Sequence, residues 1–360
     1  MKVTHLSLEH FRNIELARLQ FDPERPTFFV GNNGQGKSNL LEALGLVTAI
    51  RSFRTHELAP LIQKKKRGAR VLYKLLDERD EETEIELKLS SRKRSILVDG
   101  TEIKRLSDYV GLFPSVVFSA DDNQLIKSGP QGRRRFFDLL YSVIDHEYLE
   151  SLQSYHRVLK ERNMALKSKM ERPLVTVYDK MLARHGSAIM AKRSYWSERF
   201  SGLFRTAYEQ IATEDETGSF VYKPALEVGS EEGFLEKLTN HYTRDSVLGT
   251  TSTGPHRDDF QFEVHELGAR THGSDGQQRS LVLALKLAQI EFIEQKTQRK
   301  PILLLDDILG ELDDERKERF WAVFDHQCQI FGSGTAVPTV TFRQKWKVFS
   351  VDRGIFTELE

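Results

Sequence analysis

Apolar positions along this chain keep two different periods, and the change of period divides it. Near the start they alternate. Val3, Leu6 and Leu8, then Leu16, Leu19 and Phe21, flank a polar tip at Arg12 and Asn13 and predict a hairpin. Further β-like segments cover 70–76, 84–89 and 94–98, with a turn signal at Asp99-Gly100, and Val116, Val117 and Phe118 predict a buried strand. From Phe136 the step becomes three and four. Phe137, Leu140, Ile144, Tyr148, Leu152, Tyr155 and Leu159 predict one long amphipathic helix over 133–170. Pro173 interrupts it, and Leu182, Ile189, Trp196, Phe200, Phe204 and Ile211 predict a second over 175–212. Two such helices form an antiparallel arm, whose aromatic stripe reads as packing rather than a ligand site. After a short helix at 231–242, alternation returns at Phe260, Phe262 and Val264, and a strongly apolar helix spans 281–293. Ile302, Leu303, Leu304 and Leu305 then form an unbroken aliphatic run, as in a parallel-sheet strand buried on both faces.

Two interruptions of this pattern carry chemistry. The apolar run 27–30 leads into Gly31-Asn32-Asn33-Gly34-Gln35-Gly36-Lys37-Ser38, and a helical pattern (Leu40, Leu41, Leu44, Val47) follows. Strand, glycine-rich loop and helix make a phosphate cradle: glycines let backbone N–H groups turn inward, and the helix N-terminus adds unpaired donors. Lys37 would reach the β- and γ-phosphates and Ser38 would ligate Mg²⁺. The aliphatic run ends in Asp306-Asp307, where α/β sheets place their ligands. Two adjacent carboxylates there call for a cation. Asp306 would hold the metal and Asp307 would polarise the attacking water. The Arg12-Asn13 tip is either an ordinary turn or a nucleotide contact. Ser274-Asp275-Gly276-Gln277, before the apolar helix, is either a helix cap or a second anion site.

Composition narrows the setting. Lys+Arg and Asp+Glu both number 53 among 360 residues, so nucleic-acid binding requires a local patch rather than bulk positive charge. Basic candidates are 64–70, Arg92-Lys93-Arg94, Arg133-Arg134-Arg135 and Lys160, Arg162, Lys167 and Lys169, of which the triple arginine is expected to contact DNA. A single cysteine, Cys328, excludes an internal disulfide and a cysteine-built metal site and suits a reducing cytosol. No signal-peptide core or membrane-length apolar run is present, which predicts a cytoplasmic protein without membrane contact. His256 has no second histidine at ligand spacing, so no metal is expected there.

The order of these pieces resembles the ATP-binding-cassette type of ATPase head found in chromosome-maintenance and recombination proteins. Within that class the chain is similar to the RecF family of bacterial recombination mediators. The resemblance is carried by Phe11-Arg12-Asn13, by the phosphate loop with Asn39-Leu40-Leu41-Glu42-Ala43, by residues 129–135, by Arg157-Val158-Leu159-Lys160-Glu161-Arg162-Asn163, by Gly254-Pro255-His256-Arg257-Asp258, by Ser274-Asp275-Gly276-Gln277-Gln278-Arg279 and by 303–313. It implies an α/β head, with a mixed β-lobe and a parallel sheet, built from 1–130 and 245–360, and an inserted helical arm domain of 131–244. It implies ATP held by residues 31–38 with Asn39, Arg12 and Asn13, and Mg²⁺ held by Ser38 and Asp306. Ser274, Asp275, Gly276 and Gln277 would be a signature turn touching the γ-phosphate of another subunit, and Asp313 would belong to the loop crossing that interface. The implied protein is an ATP-dependent homodimer that clamps gapped DNA at single-strand/double-strand junctions. It would work with RecO and RecR to load RecA in gap repair, replication-fork maintenance and SOS induction, with weak DNA-stimulated ATPase activity as a switch. Asp307 stands where many cassette ATPases have Glu, Asp275 where transporters have Gly, and no histidine follows the last strand, where Ser333 or Thr335 would substitute. The nearest glutamine to a Q-loop position is Gln124. Alternative readings are a transporter ATPase subunit, which would lack this helical arm, and a small chromosome-organising ATPase, which would carry longer heptad runs.

Overall fold

The computed structural model describes residues 1–55, 57–77, 79, 81–212, 216–227, 230–308, 314–323, 328–338 and 345–359. By packing, the chain divides into two compact units, Met1–Asp122 with Gln289–Glu360, and Asn123–Ala288. The sequence expectation drew its boundaries at 130/131 and 244/245.

The first unit begins with β1 (Lys2–Phe11), β2 (Ile14–Gln20), β3 (Thr27–Val30) and α1 (Lys37–Ala49). It continues through β4 (Gly68–Leu76), β5 (Glu82–Ser90), β6 (Arg94–Val98), β7 (Thr101–Glu102) and β8 (Ser115–Ser119). In the second unit come α2 (Gln124–Lys127), α3 (Pro130–Ile144), α4 (His146–Lys167), α5 (Arg172–Ile211), β9 (Gly218–Lys223), α6 (Glu231–Asn240) and α7 (Tyr242–Leu248). β10 (Asp259–Val264), β11 (Leu267–Gly268), α8 (Ala269–His272) and α9 (Asp275–Thr297) follow. The chain then completes the first unit with β12 (Ile302–Asp306), α10 (Asp314–Val323), β13 (Ile330–Gly334), β14 (Lys347–Asp352) and β15 (Ile355–Leu359).

Two six-stranded sheets make the first unit. One is antiparallel in the order β2-β1-β4-β5-β6-β7, and alternation puts Leu6 opposite Tyr73 and Leu8 opposite Val71 on its buried face. The other runs β15-β14-β3-β13-β12-β8, parallel from β14 to β8. Helix α1 packs on β8, β12 and β13 of this sheet and on β1 of the other. That placement explains why α1 is buried on nearly every side rather than along one stripe. Tyr109 fixes it by donating to the Val47 carbonyl at 2.6 Å. The parallel strands β3, β8, β12 and β13 release their C-terminal ends at one edge, which is where the site is built.

In the second unit the expected single helix over 133–170 is two. The chain leaves α3 at Asp145, whose backbone is extended and whose carboxylate caps α4 by accepting from the Tyr148 N–H at 2.9 Å. Lys192 and Trp196 of α5 also donate to Asp145, so a tertiary contact fixes a break that apolar periodicity does not show. Pro173 sits in the first turn of α5, where its missing N–H costs nothing. The aromatic stripe is packing: Phe137 stacks on Phe260 at 4.1 Å, and Phe200 and Phe204 close on Phe220.

Candidate nucleotide-binding site

The loop between β3 and α1 adopts the backbone its glycines permit. Gly36 has φ 119°, and a Cβ there would lie 2.9 Å from Asn13 Oδ1. At Gly31 a Cβ would meet the Val351 carbonyl oxygen at 2.4 Å. Asn32, Asn33 and Gly34 form an exposed rim. Lys37 is buried and its ammonium donates to the carbonyls of Gly31 at 2.8 Å and Asn32 at 3.1 Å. A cation is thereby held inside a ring of backbone that opens at a helix N-terminus, an arrangement suited to polyphosphate.

Two neighbours hold the loop in shape. The Arg12-Asn13 tip lies against it: Asn13 donates through Nδ2 to the Gln35 carbonyl at 3.0 Å, and its Oδ1 accepts from Asn39 Nδ2 at 2.8 Å. Arg12 reaches past the loop to Glu42 on α1. On the other side the turn between β14 and β15 clamps Gln35. Arg353 N–H donates to its side-chain oxygen and Gly354 N–H to its carbonyl, each at 2.7 Å. That C-terminal clamp gives no motif in the sequence.

At the end of β12, Asp306 is largely buried, and burial raises its pKa above the ordinary carboxylate value. The adjacent Asp307 pushes the same way, while hydrogen bonds from Ser38 and Ser333 and the Arg54 guanidinium act in the opposite sense. Ser333 Oγ donates to Asp306 Oδ1 at 3.0 Å, as its register position on β13 directs. Ser38 and Asp306, expected from opposite ends of the chain, are therefore in contact. A hydroxyl oxygen beside a poorly solvated carboxylate with a second carboxylate next to it is a hard-oxygen donor set that fits Mg²⁺. Asp307 has φ 55°, an unusual value for a residue with a side chain, at the first position past the strand.

Sequence reasoning missed the group beneath the loop. Glu42 is wholly buried in α1, and its carboxylate is shared by Arg12, Ser52 and Arg54. Arg54 also donates to Asn39 Oδ1 at 2.8 Å. The available signal was a single acid within the apolar run Leu40-Leu41-Glu42-Ala43-Leu44.

The remaining expected residues lie in the second unit or outside the described residues. Ser274 and Asp275 are exposed at the start of α9. Ser274 Oγ accepts from the Gln277 N–H at 3.2 Å and Gln277 Oε1 from the Ser274 N–H at 2.9 Å, a reciprocal capping box. Asp275 pairs with Lys127 at 2.8 Å. Asp313 lies outside the described residues. Arg133 is not presented to solvent: it is buried, bidentate to Asp259 at 2.8 and 3.0 Å, and donates to the Ser128 carbonyl. Arg134 donates to the Asp258 carbonyl at 2.6 Å, and Arg135 is part-buried.

Two of the stretches that carried the resemblance, 157–163 and 254–258, prove to belong to a buried polar lattice. Arg162 pairs with Asp179 at 2.7 Å and Asp245 at 2.8 Å and donates to Thr251, while Asn163 accepts from the Thr251 N–H. Arg193 binds Asp258 and Asp138, each at 2.7 Å, and the Pro255 carbonyl. His256 bridges Tyr155 OH at 2.7 Å and the Thr251 carbonyl at 3.0 Å. Burial, with Arg257, His156 and Arg134 adding to it, lowers its pKa to about 4. Among the described residues no cluster of three or more His, Cys, Asp or Glu could hold a metal on its own.

A phosphate loop opening at the end of a parallel sheet and a serine-braced aspartate two strands away define an ATPase head of the class shared by ATP-binding-cassette and SMC proteins. The model of the RecF/RecN/SMC N-terminal domain matches residues 2–349. The chain belongs to the RecF family. It is 35% identical over 361 residues to the DNA replication and repair protein RecF of Streptococcus agalactiae, which covers 98% of this chain and 97% of that one. With RecF of Trichlorobacter lovleyi the identity is 36% over 358 residues, covering 97% and 96%. A solved structure of the recombination mediator protein RecF-ATP in the RecFOR pathway matches with a TM-score of 0.91 at 30% identity, covering 100% of this chain and 98% of that one. An Smc head bound to the C-winged helix domain of ScpA shares the fold, with a TM-score of 0.56 at 17% identity and coverage of 100% and 98%.

Proposed function

We propose that this protein is an ATP-dependent, DNA-binding recombination mediator that acts as a dimer closing on ATP. The observation that carries the reading is the assembly of Lys37, Ser38 and Asp306 around one loop held by Asn13, together with a solved relative of 30% identity described as RecF-ATP. In this reading residues 31–39 hold the triphosphate, with Lys37 released from its two carbonyl partners onto the β- and γ-oxygens. Ser38 and Asp306 would hold Mg²⁺, which would supply charge neutralisation at the phosphates. Asp307 orients the attacking water as a base one methylene shorter than glutamate, consistent with slow turnover. The exposed Ser274 turn contributes its hydroxyl and first-turn N–H groups to ATP bound by a second copy, with Asp313 crossing the same interface. Binding energy from the γ-phosphate closes the pair and hydrolysis releases it. The cellular role proposed is gap repair with RecO and RecR, loading RecA at single-strand/double-strand junctions, in the cytoplasm.

The test measures binding to gapped DNA with and without ATP, and sizes the Asp307→Asn protein under saturating ATP. ATP-dependent binding and a trapped dimer are expected. Binding indifferent to ATP, or a monomeric Asp307→Asn protein, overturns the clamp.

A further inference from the structure

Two of the other basic candidates, 64–70 and Arg92-Lys93-Arg94, lie on the antiparallel sheet, and the structure sorts their members. Arg70 turns to Glu86 and Glu9, and Arg94 donates to the Ile50 carbonyl at 2.6 Å. The rest do not turn inward. Lys64, Lys65, Lys66, Arg67, Arg92 and Lys93 are all exposed. Lys66 faces Glu15 at 3.8 Å, and the other five have no ion-pair partner among the described residues.

Topology gathers these cations. The register of β4 and β5 sets Gly68 opposite Ser90, so the loop entering β4 and the turn leaving β5 lie side by side. Between them is a cleft of about 370 Å³ lined by residues 62–67, Ala59 and Ser91. The loop is bent at Lys65, whose φ is 71°, and closes with Lys66 N–H donating to the Gln63 carbonyl at 3.0 Å. A left-handed lysine at a turn position that Gly or Asn would occupy at lower cost fans Lys64 and Lys65 outward. The 11–12 tip anchors the same segment: Gln63 N–H donates to the His10 carbonyl at 2.7 Å and Arg12 N–H to the Leu61 carbonyl at 2.9 Å. The basic loop is thus hydrogen-bonded to the hairpin whose Asn13 braces the nucleotide loop.

We propose that the 64–67 loop and the Arg92-Lys93 turn form a docking site for the phosphate backbone of DNA. The proposal rests on the reading of the protein as a DNA-binding ATPase and locates a contact surface for it on the antiparallel sheet, in place of the arginines at 133–135. None of the cations is buried, so a small free anion would gain little from them. A polyanion gains at each phosphate by releasing counterions, and exposed lysines and arginines, five of the six without an ion-pair partner among the described residues, suit that source.

The experiment compares the unaltered protein with Lys64→Gln/Lys65→Gln/Arg67→Gln and with the corresponding triple Glu variant. Anisotropy of labelled gapped duplex is followed across a salt series with ATP present, and thermal melting and ATP binding serve as controls for folding. The neutral variant should lose about tenfold or more in affinity at low salt, and its log–log salt slope should shrink by about 2 to 3. The Glu variant should bind more weakly still, with melting and ATP binding unchanged in both. If the unaltered protein binds DNA and the variants match it in affinity and slope, this site is wrong and the functional reading stands. If the unaltered protein binds no DNA, both fall.

Discussion

Arg12 grips the buried carboxylate of Glu42 through two hydrogen bonds, Nε to Oε2 at 2.8 Å and Nη2 to Oε1 at 2.6 Å. The pair ties the tip of the N-terminal hairpin to the helix that starts in the phosphate loop. Removing the acid leaves Arg12 and Arg54 facing each other without a counter-charge. Glu42→Gln should cost about 3 kcal/mol, as for other half-removed buried ion pairs. A urea midpoint equal to that of the unaltered protein would show the pair to be energetically idle.

Asn13 acts on the loop itself. Its amide holds the Gln35 carbonyl and Asn39, two hydrogen bonds that replace nothing in the core because the side chain is exposed. Asn13→Ala should therefore leave melting nearly unchanged and weaken nucleotide binding about tenfold, since the loop must then be ordered by the ligand. Calorimetric titration with a non-hydrolysable ATP analogue reads this directly. Unchanged affinity would reduce the tip to an ordinary turn.

Ser274 caps α9, and substitution can separate that role from the partner contact proposed for it. Aspartate accepts the Gln277 N–H as serine does, so Ser274→Asp should keep the cap of α9 and the stability. It also places a negative charge where the proposed partner phosphate would come. Ser274→Ala should lose about 1 kcal/mol of stability through the cap. Sizing with ATP in an Asp307→Asn background should find Ser274→Asp monomeric. A dimer there would confine Ser274 to capping.

Arg133 is expected to matter for stability and not for DNA. Its guanidinium neutralises Asp259 and closes the Ser128 carbonyl, so Arg133→Ala should cost about 3 kcal/mol. The salt slope of DNA binding should stay as it was. A reduced slope in a fully folded variant would restore Arg133 to the DNA surface.

The legibility of these features follows from how locally each is specified. The phosphate loop, its strand and helix, and Asp306 could be read because each is a contiguous stretch with its chemistry in order. The break at Asp145 could not, because it is set by Lys192 and Trp196 more than forty residues away. Nor could the Gln35 clamp, made by backbone N–H groups of a turn with no required side chain. For the arginines at 133–135, charge in a sequence does not reveal which side of a helix each one occupies. Arg133 points into a buried ion pair, whereas Lys64 and Lys65 in a plain loop remain exposed. Arg162, Asn163 and His256, in stretches that carried the resemblance, hold the helical unit together through buried ion pairs and hydrogen bonds.

His256 gives that lattice a pH limit. In the folded protein the ring is neutral: its hydrogen-bond partners are the Tyr155 hydroxyl, which can donate, and the Thr251 carbonyl, which can only accept. Its pKa falls to about 4 from an ordinary 6.5, chiefly because the ring is desolvated. The folded value lies below the unfolded one, so the unfolded chain binds the extra proton. This contribution to stability is complete above about pH 6.5, declines as pH falls from there to about 4, and changes no further below. Its full size is about 3 kcal/mol. His256→Gln removes the titration, so the stability difference between the unaltered and variant proteins should shrink by most of that amount between pH 7 and 4.5. Urea unfolding of both at half-unit pH steps checks it, other histidines cancelling in the difference. A difference that stays constant across the window would mean that His256 titrates normally in the fold.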